Sequence, residues 1–367
     1  MSIDFVFHIG PIKTGSTSIQ RFLENEAVAN PKLEYKRIRP AHFYGLASPQ
    51  DREASLEYFE RLYQKKISQK KSIRKIVLSH ECIYQKPKNI PQLIKTAHPF
   101  AKNISCIAYA RKQSSHYCSH YSQFLYFNEA LQKNIDQSFK DKNLGIHNFT
   151  GLETFLISLA ITDFKIVRVG DRTEYQDWTR MIHIDQSLRK QGHHLDLGLL
   201  PSRAQKPSLI EDFCARSGIK KSKRLSTTRD IYIHSALPDA AVELLYQAYK
   251  KGLRTPVKKP EHLSCFQAFR QKEYNNDSLQ IHDPELIKQL LNYIDSHYAE
   301  RNNKLCQHFG LAEDYFLPNE YVDKKNIIEF IKSVDKLRKA NPKERIEQKN
   351  KILAECARYF MLTGADA

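Results

Sequence analysis

The chain has 367 residues, of which 41% are hydrophobic and 27% are charged, and its net charge is +17. This composition is typical of a globular protein that is long enough to bury a full core, and it excludes collagen-like, low-complexity and disordered classes. No stretch approaches the roughly 18 consecutive apolar residues that a transmembrane helix needs. The positive charge favours anionic partners without specifying the anion.

The cysteines and the N-terminal residues indicate a compartment. Seven cysteines are scattered along the chain without a C-x-x-C pair, which argues against a disulfide framework and a zinc site, and for a reducing environment. The first apolar run is short and contains Asp4 and His8, unlike a secretory signal. We therefore expect a cytoplasmic protein without a bound metal, and a location at the inner membrane surface stays open.

A strand, a glycine-containing loop and a helix are predicted in that order at the start of the chain. The run at 3–9 is mostly apolar, and apolar residues recur at helical spacing from Ile19 onward. Such a junction directs free backbone N–H groups and the positive end of a helix dipole at one point, which suits a phosphate or sulfate. An ordinary turn with a capped helix is the alternative. The candidate anion-binding residues are Lys13, Thr14, Gly15, Ser16, Thr17 and Ser18.

A second predicted strand, Ile76–Leu78, ends in Ser79, His80 and Glu81. Ligands of open α/β sheets bind beyond the carboxyl ends of the strands. His80 and Glu81 are both of a chemical type that serves as a general base. Adjacent residues of a strand point to opposite faces, so we expect only one of the two to face a cleft.

A third predicted strand, Asn103–Ala110, leads into Arg111 and then into a helix that contains Ser119. An arginine fork and a serine hydroxyl can together bind a phosphate. Taken alone, an arginine and a serine at this spacing are better explained by a helix-capping ion pair.

Further elements follow. Asp163–Arg172 is predicted as another buried strand with a polar end, and Ser208 with Glu211 predicts a capping box that opens a helix running to about Arg216. A long helix is predicted from Pro284. Two amphipathic helices, at about 325–339 and 343–362, follow it. We expect a domain at 1–320 and a helical extension at 321–367, which could pack on the core, form a homodimer contact or lie on a membrane surface.

The loop order Lys-Thr-Gly-Ser-Thr, followed by Arg111 and Ser119, resembles the sulfotransferases that use 3′-phosphoadenosine 5′-phosphosulfate (PAPS), in particular those of the bacterial carbohydrate type. The resemblance covers roughly 3–320 and is strongest over 3–125. It implies an α/β fold with a P-loop-like parallel sheet flanked by helices, helical insertions and a helical C-terminal extension. It also implies a metal-free nucleotide site, in which the loop binds the 5′-phosphate and Arg111 and Ser119 bind the 3′-phosphate. Arg203 is implied as a further contact.

The resemblance further implies in-line transfer of a sulfuryl group to an acceptor hydroxyl, most readily that of a glycan or glycolipid. Lys13 would neutralise the leaving oxygen and Glu81 would be the base, with His80 as the rival because cytosolic relatives use a histidine. Two other functions stay open: an ATP-using kinase-like enzyme, and a non-enzymatic binder of acidic glycans or nucleic acid. We expect no nucleic-acid partner.

Overall fold

The computed structural model describes residues 3–37, 49–68, 73–79, 84, 88–122, 128–167, 176–202, 205–222, 242–243, 246–247, 281–342, 347, 350 and 354. The chain forms two compact units. The first comprises Met1–Lys112, Asp177–His234 and Glu300–Tyr315, and the second comprises Gln113–Gln176, Ser235–Ala299 and Phe316–Ala367. The predicted boundary at residue 320 stays a prediction.

The first unit contains a five-stranded, all-parallel sheet, which confirms the predicted α/β class. The strands are β1 (Asp4–His8), β2 (Leu33–Arg37), β3 (Lys75–Ser79), β4 (Asn103–Ala110) and β5 (Leu195–Leu199). Their order is β2-β3-β1-β4-β5, consistent with a P-loop-like fold. From β1 the chain continues to β2 at one end of this order, and from β4 it continues to β5 at the other end. The strand order therefore reverses between β1 and β4, where open α/β sheets bind their ligands.

Helices cover the sheet because the central strand is apolar on both faces. Phe5 and Phe7 contact Phe59 edge-on, whereas Val6 belongs to a buried cluster with Phe22 and Phe213. Alternate residues of β1 thus bury opposite faces, and each buried aromatic side chain contributes about 1.5–3 kcal/mol of transfer free energy. Among its described residues, this unit contains the helices α1 (Ser16–Ala29), α2 (Pro49–Ser68), α3 (Asn89–Ala97), α7 (Arg180–Arg189) and α8 (Leu209–Ser217), and residues 300–309 of a longer helix, α9 (Pro284–Phe309).

The second unit is helical in its described residues. Its helices are α4 (Gln113–Tyr121), α5 (Glu129–Asp141), α6 (Gly151–Thr162), the first part of α9 (Pro284–Phe309) and α10 (Lys324–Ala340). Ile327, Ile331 and Val334 of α10 belong to the same buried cluster as Phe155 of α6. The C-terminal region is helical as predicted. The second predicted helix, over 343–362, lies largely outside the described residues.

The predicted strand over 163–172 is wrong where it can be compared with the structure. Residues Lys165–Val167 form a 3₁₀ helix, and 168–172 lie outside the described residues. Asp163 and Phe164 both adopt positive φ angles, of 54° and 61°, and the Phe164 N–H donates to the Leu159 carbonyl at 2.8 Å. This closes α6 and buries the Phe164 ring, which stacks on His297 at 4.1 Å. Tertiary packing therefore overrides the strand propensity of the segment.

No helix among the described residues has the length and apolar character needed to cross a membrane.

Candidate anion-binding site

The loop between β1 and α1 joins a strand to a helix in the predicted order. Gly15 is the N-cap residue of α1 with φ 85°, and the first backbone hydrogen bond of the helix runs from the Ile19 N–H to the Gly15 carbonyl at 3.1 Å. No side chain caps this helix. The N–H groups that precede Ile19 therefore have no intrahelical acceptor and lie at the positive end of the helix dipole.

Two constraints require glycine at position 15. Its φ of 85° is unfavourable for any residue with a Cβ. In addition, a Cβ there would lie 2.3 Å from Leu209 Cδ2 and 3.0 Å from Leu200 Cδ1. The loop thus packs closely against the start of α8. That start is fixed by the predicted capping box of Ser208 and Glu211, which the structure confirms.

The hydroxyl groups of the loop fall into two sets. Thr14 and Ser16 are buried, and their hydroxyls donate to the Pro11 carbonyl at 2.7 and 3.2 Å. Thr17 and Ser18 are half-buried in the first turn of α1. The buried pair therefore shapes the loop, whereas Thr17 and Ser18 are accessible to a ligand.

Arg111 follows β4 and reaches the same loop. Its Nη1 donates to the Lys13 carbonyl at 3.2 Å, and its own carbonyl accepts a hydrogen bond from Nε1 of the buried Trp178 at 2.7 Å. Lys13 itself has φ 65°, a conformation that is uncommon for a residue with a side chain. The structure thus brings together Lys13 and Arg111, two predicted site residues that are 98 positions apart in the chain.

Of the other predicted site residues, the structure describes only Ser119. Ser119 lies on α4 of the second unit and is half-buried. His80, Glu81 and Arg203 lie outside the described residues. Strand β3 is described as far as Ser79, which pairs in register with His8. Within the described ranges, no group of three or more His, Cys, Asp or Glu side chains could hold a metal ion.

The sequence prediction missed His8. This residue is buried at the end of β1, where Nδ1 lies 2.8 Å from the Ser79 hydroxyl. Burial lowers its pKa to about 4, so the ring is neutral near pH 7. Gln20 of α1 donates to the same hydroxyl at 3.3 Å. The available signal was a histidine that follows the apolar residues 5–7 of the strand and lies two positions before Gly10.

No protein-family model matches the chain, and neither a curated protein nor a solved structure matches it. The chemistry of the site is therefore argued from its own residues. An uncapped helix N-terminus and two cationic side chains, at the point where the strand order reverses, can bind a phosphate or sulfate group.

Proposed function

We propose that this protein is a PAPS-dependent sulfotransferase that transfers a sulfuryl group to an acceptor hydroxyl, most readily that of a glycan or glycolipid. One observation carries the proposal: Arg111 from β4 reaches the Lys13 loop after β1, with Nη1 3.2 Å from the Lys13 carbonyl. The Arg111 guanidinium therefore contacts the backbone of the loop that carries Lys13, next to the uncapped start of α1 at the carboxyl ends of β1 and β4. The loop order Lys-Thr-Gly-Ser-Thr supports PAPS over ATP.

Each residue has a defined task in this proposal. PAPS, when bound, supplies the sulfuryl group. Backbone N–H groups of 13–18 hold the 5′-phosphate, and the Lys13 side chain neutralises the negative charge that develops on the leaving oxygen. Arg111 and Ser119 bind the 3′-phosphate, with Arg203 as a further nucleotide contact. Glu81, or alternatively His80, accepts the proton of the acceptor hydroxyl.

The first experiment is calorimetric titration with 3′-phosphoadenosine 5′-phosphate and with ADP, both without metal. Micromolar binding of the first and little binding of the second is the expected result. Equal binding, or binding of ADP only with Mg²⁺, would favour the kinase-like alternative, with which the strand order is also consistent. Absence of binding by either nucleotide would favour a non-enzymatic binder.

Turnover measurements test the assigned roles. Lys13→Ala is expected to reduce turnover far more than it reduces stability, because its charge acts on the leaving group. Glu81→Gln is expected to abolish transfer while leaving nucleotide affinity near normal. If His80→Ala abolishes transfer and Glu81→Gln does not, the base is His80.

A further inference from the structure

We call the loop between β1 and α1, residues 9–15, the anion loop. One buried polar atom beside this loop has no role in the proposed function. His8 is 1% exposed, and its Nε2 has no hydrogen-bond partner in the part of the chain that the structure describes. Leaving a buried N–H or ring nitrogen unpaired costs about 1–3 kcal/mol. This cost would be offset if Nε2 gained a hydrogen-bond partner when the loop binds an anion.

Nε2 points into the loop. The ideal Cβ position on Gly10 lies 3.2 Å from His8 Nε2, 3.3 Å from Thr14 Oγ1 and 3.6 Å from Ser16 Oγ. These three polar atoms therefore surround the space that a side chain on Gly10 would fill. Both hydroxyl protons are directed to the Pro11 carbonyl, so the hydroxyl oxygens retain lone pairs that can accept a further hydrogen bond.

The other side of the ring defines the tautomer. Gln20 Nε2 donates to Ser79 Oγ, and Nδ1 of His8 is the only acceptor for the Ser79 hydroxyl proton in the described ranges. If Nδ1 accepts that proton, the neutral ring carries its own proton on Nε2. Gln20, Ser79 and His8 then form a chain of donors that all point toward the loop, an arrangement in which each hydrogen bond strengthens the next.

We propose that His8 is a positioning residue of the anion loop: its Nε2–H donates to the hydroxyl oxygen of Thr14 or Ser16 when an anion is bound, so that the hydroxyl proton turns from Pro11 to the anion. Thr14 and Ser16 thereby act as anion donors despite their burial. This role depends on anion binding by the loop and not on the anion being PAPS.

Nitrogen-15 NMR of the histidine rings tests the tautomer in the unmodified protein. The chain has 15 histidines, and the signals of His8 are those that disappear in His8→Gln. The expected result is a neutral Nε2–H ring whose Nε2 shift moves on addition of 3′-phosphoadenosine 5′-phosphate or of inorganic pyrophosphate. A proton on Nδ1, or an Nε2 shift that neither anion moves, would overturn the proposal.

A pair of variants separates the two ring nitrogens. Asparagine places an amide near the position of Nδ1, whereas glutamine places one near Nε2, so His8→Asn loses the donor to the loop and His8→Gln keeps it. His8→Asn is expected to weaken pyrophosphate binding about tenfold, the effect of one hydrogen bond, and His8→Gln clearly less. Equal weakening by both would contradict the proposal.

His183→Gln on the exposed side of α7 is the matched control, and its pyrophosphate affinity should equal that of the unmodified protein. The proposed function is tested separately, by the nucleotide preference of the unmodified protein. It fails if that protein shows no preference for 3′-phosphoadenosine 5′-phosphate over ADP. If neither that nucleotide nor pyrophosphate binds, both proposals are wrong.

Discussion

At the scale of single residues, Gly15 allows the anion loop to approach α8. Gly15→Ala adds both left-handed backbone strain and a Cβ 2.3 Å from Leu209 Cδ2. We expect it to lower the free energy of unfolding by about 2–4 kcal/mol and to weaken binding of 3′-phosphoadenosine 5′-phosphate. Urea unfolding and calorimetry would measure the two effects.

Gly192 provides the control for that substitution. Its φ is 77°, but a Cβ there would meet no atom within 4 Å. Gly192→Ala should therefore cost only the backbone strain, about 1–2 kcal/mol, and leave nucleotide affinity unchanged. Equal losses of stability at positions 15 and 192 would show that the contact with Leu209 is relieved without cost.

The buried His8 ring predicts a pH dependence of stability. Burial lowers its pKa to about 4 from the ordinary value of 6.5, so the unfolded chain binds a proton more readily than the folded protein. The free energy of unfolding must therefore fall as the pH drops from about 6.5 toward 4, by up to about 3 kcal/mol. Urea unfolding at pH 7 and 4.5 would measure this loss.

His8→Gln lacks the titrating ring, so its loss of stability over the same pH range should be smaller. His193, whose pKa is also lowered, first by burial and then by neighbouring histidines, is present in both proteins and contributes equally. Parallel pH profiles for the two proteins would rule out a buried, neutral His8.

At the scale of elements, α10 is held in the second unit by a buried ion pair. Arg338 Nη1 lies 3.0 Å from Glu153 Oε2, and Nη2 lies 3.2 Å from Asp283 Oδ2. The Arg338 guanidinium also lies over the Phe149 ring at 4.8 Å. These contacts make α10 part of the core of that unit.

Arg338→Met should lower the free energy of unfolding by about 3–5 kcal/mol, because it leaves the fully buried Glu153 carboxylate without its cation. Thermal or urea unfolding would measure the change. Lys336→Met, at an exposed position on the same helix, should change stability by no more than about 0.5 kcal/mol. Similar losses for the two variants would contradict the structural role of Arg338.

Elements with strong local signals could be predicted from the sequence. Ser208 and Glu211 form the expected capping box, and the apolar runs of β1, β3 and β4 form buried strands. Strand β5 gave no such signal, since Asp196 and Gly198 interrupt it. Gly198 is required because a Cβ there would lie 2.6 Å from Tyr109 Cε1, a contact that only the folded sheet creates.

In the candidate site, too, local features could be predicted from the sequence, whereas contacts between distant residues could not. The Lys13 loop is contiguous in sequence, so its place between a strand and a helix could be predicted, whereas the positive φ of Lys13 is seen only in the structure. The hydrogen bonds of His8 with Ser79 and of Ser79 with Gln20 depend on the register of β1 with β3. No local pattern specifies that register, so the hydrogen bonds of His8 could be found only from the structure.

At the scale of the whole molecule, the net charge of +17 should produce weak, salt-sensitive binding to any polyanion. We expect duplex DNA to bind at about 50 mM salt and to dissociate by about 200 mM. Binding of 3′-phosphoadenosine 5′-phosphate should weaken much less, because partly buried charges are screened less than exposed ones. Fluorescence anisotropy at the two salt concentrations would compare them, and salt-resistant DNA binding would favour the non-enzymatic alternative.

The first unit is assembled from three separate segments of the chain, and this affects its folding during synthesis. Its three segments end with Glu300–Tyr315, and β5 joins β4 across about ninety residues of intervening chain. A ribosome that has released only the first two hundred residues has therefore exposed all five strands without the last segment of their unit. More than a hundred further residues must be synthesised before the last segment can pack on the sheet. During that interval the apolar strands are accessible to chaperones and can aggregate.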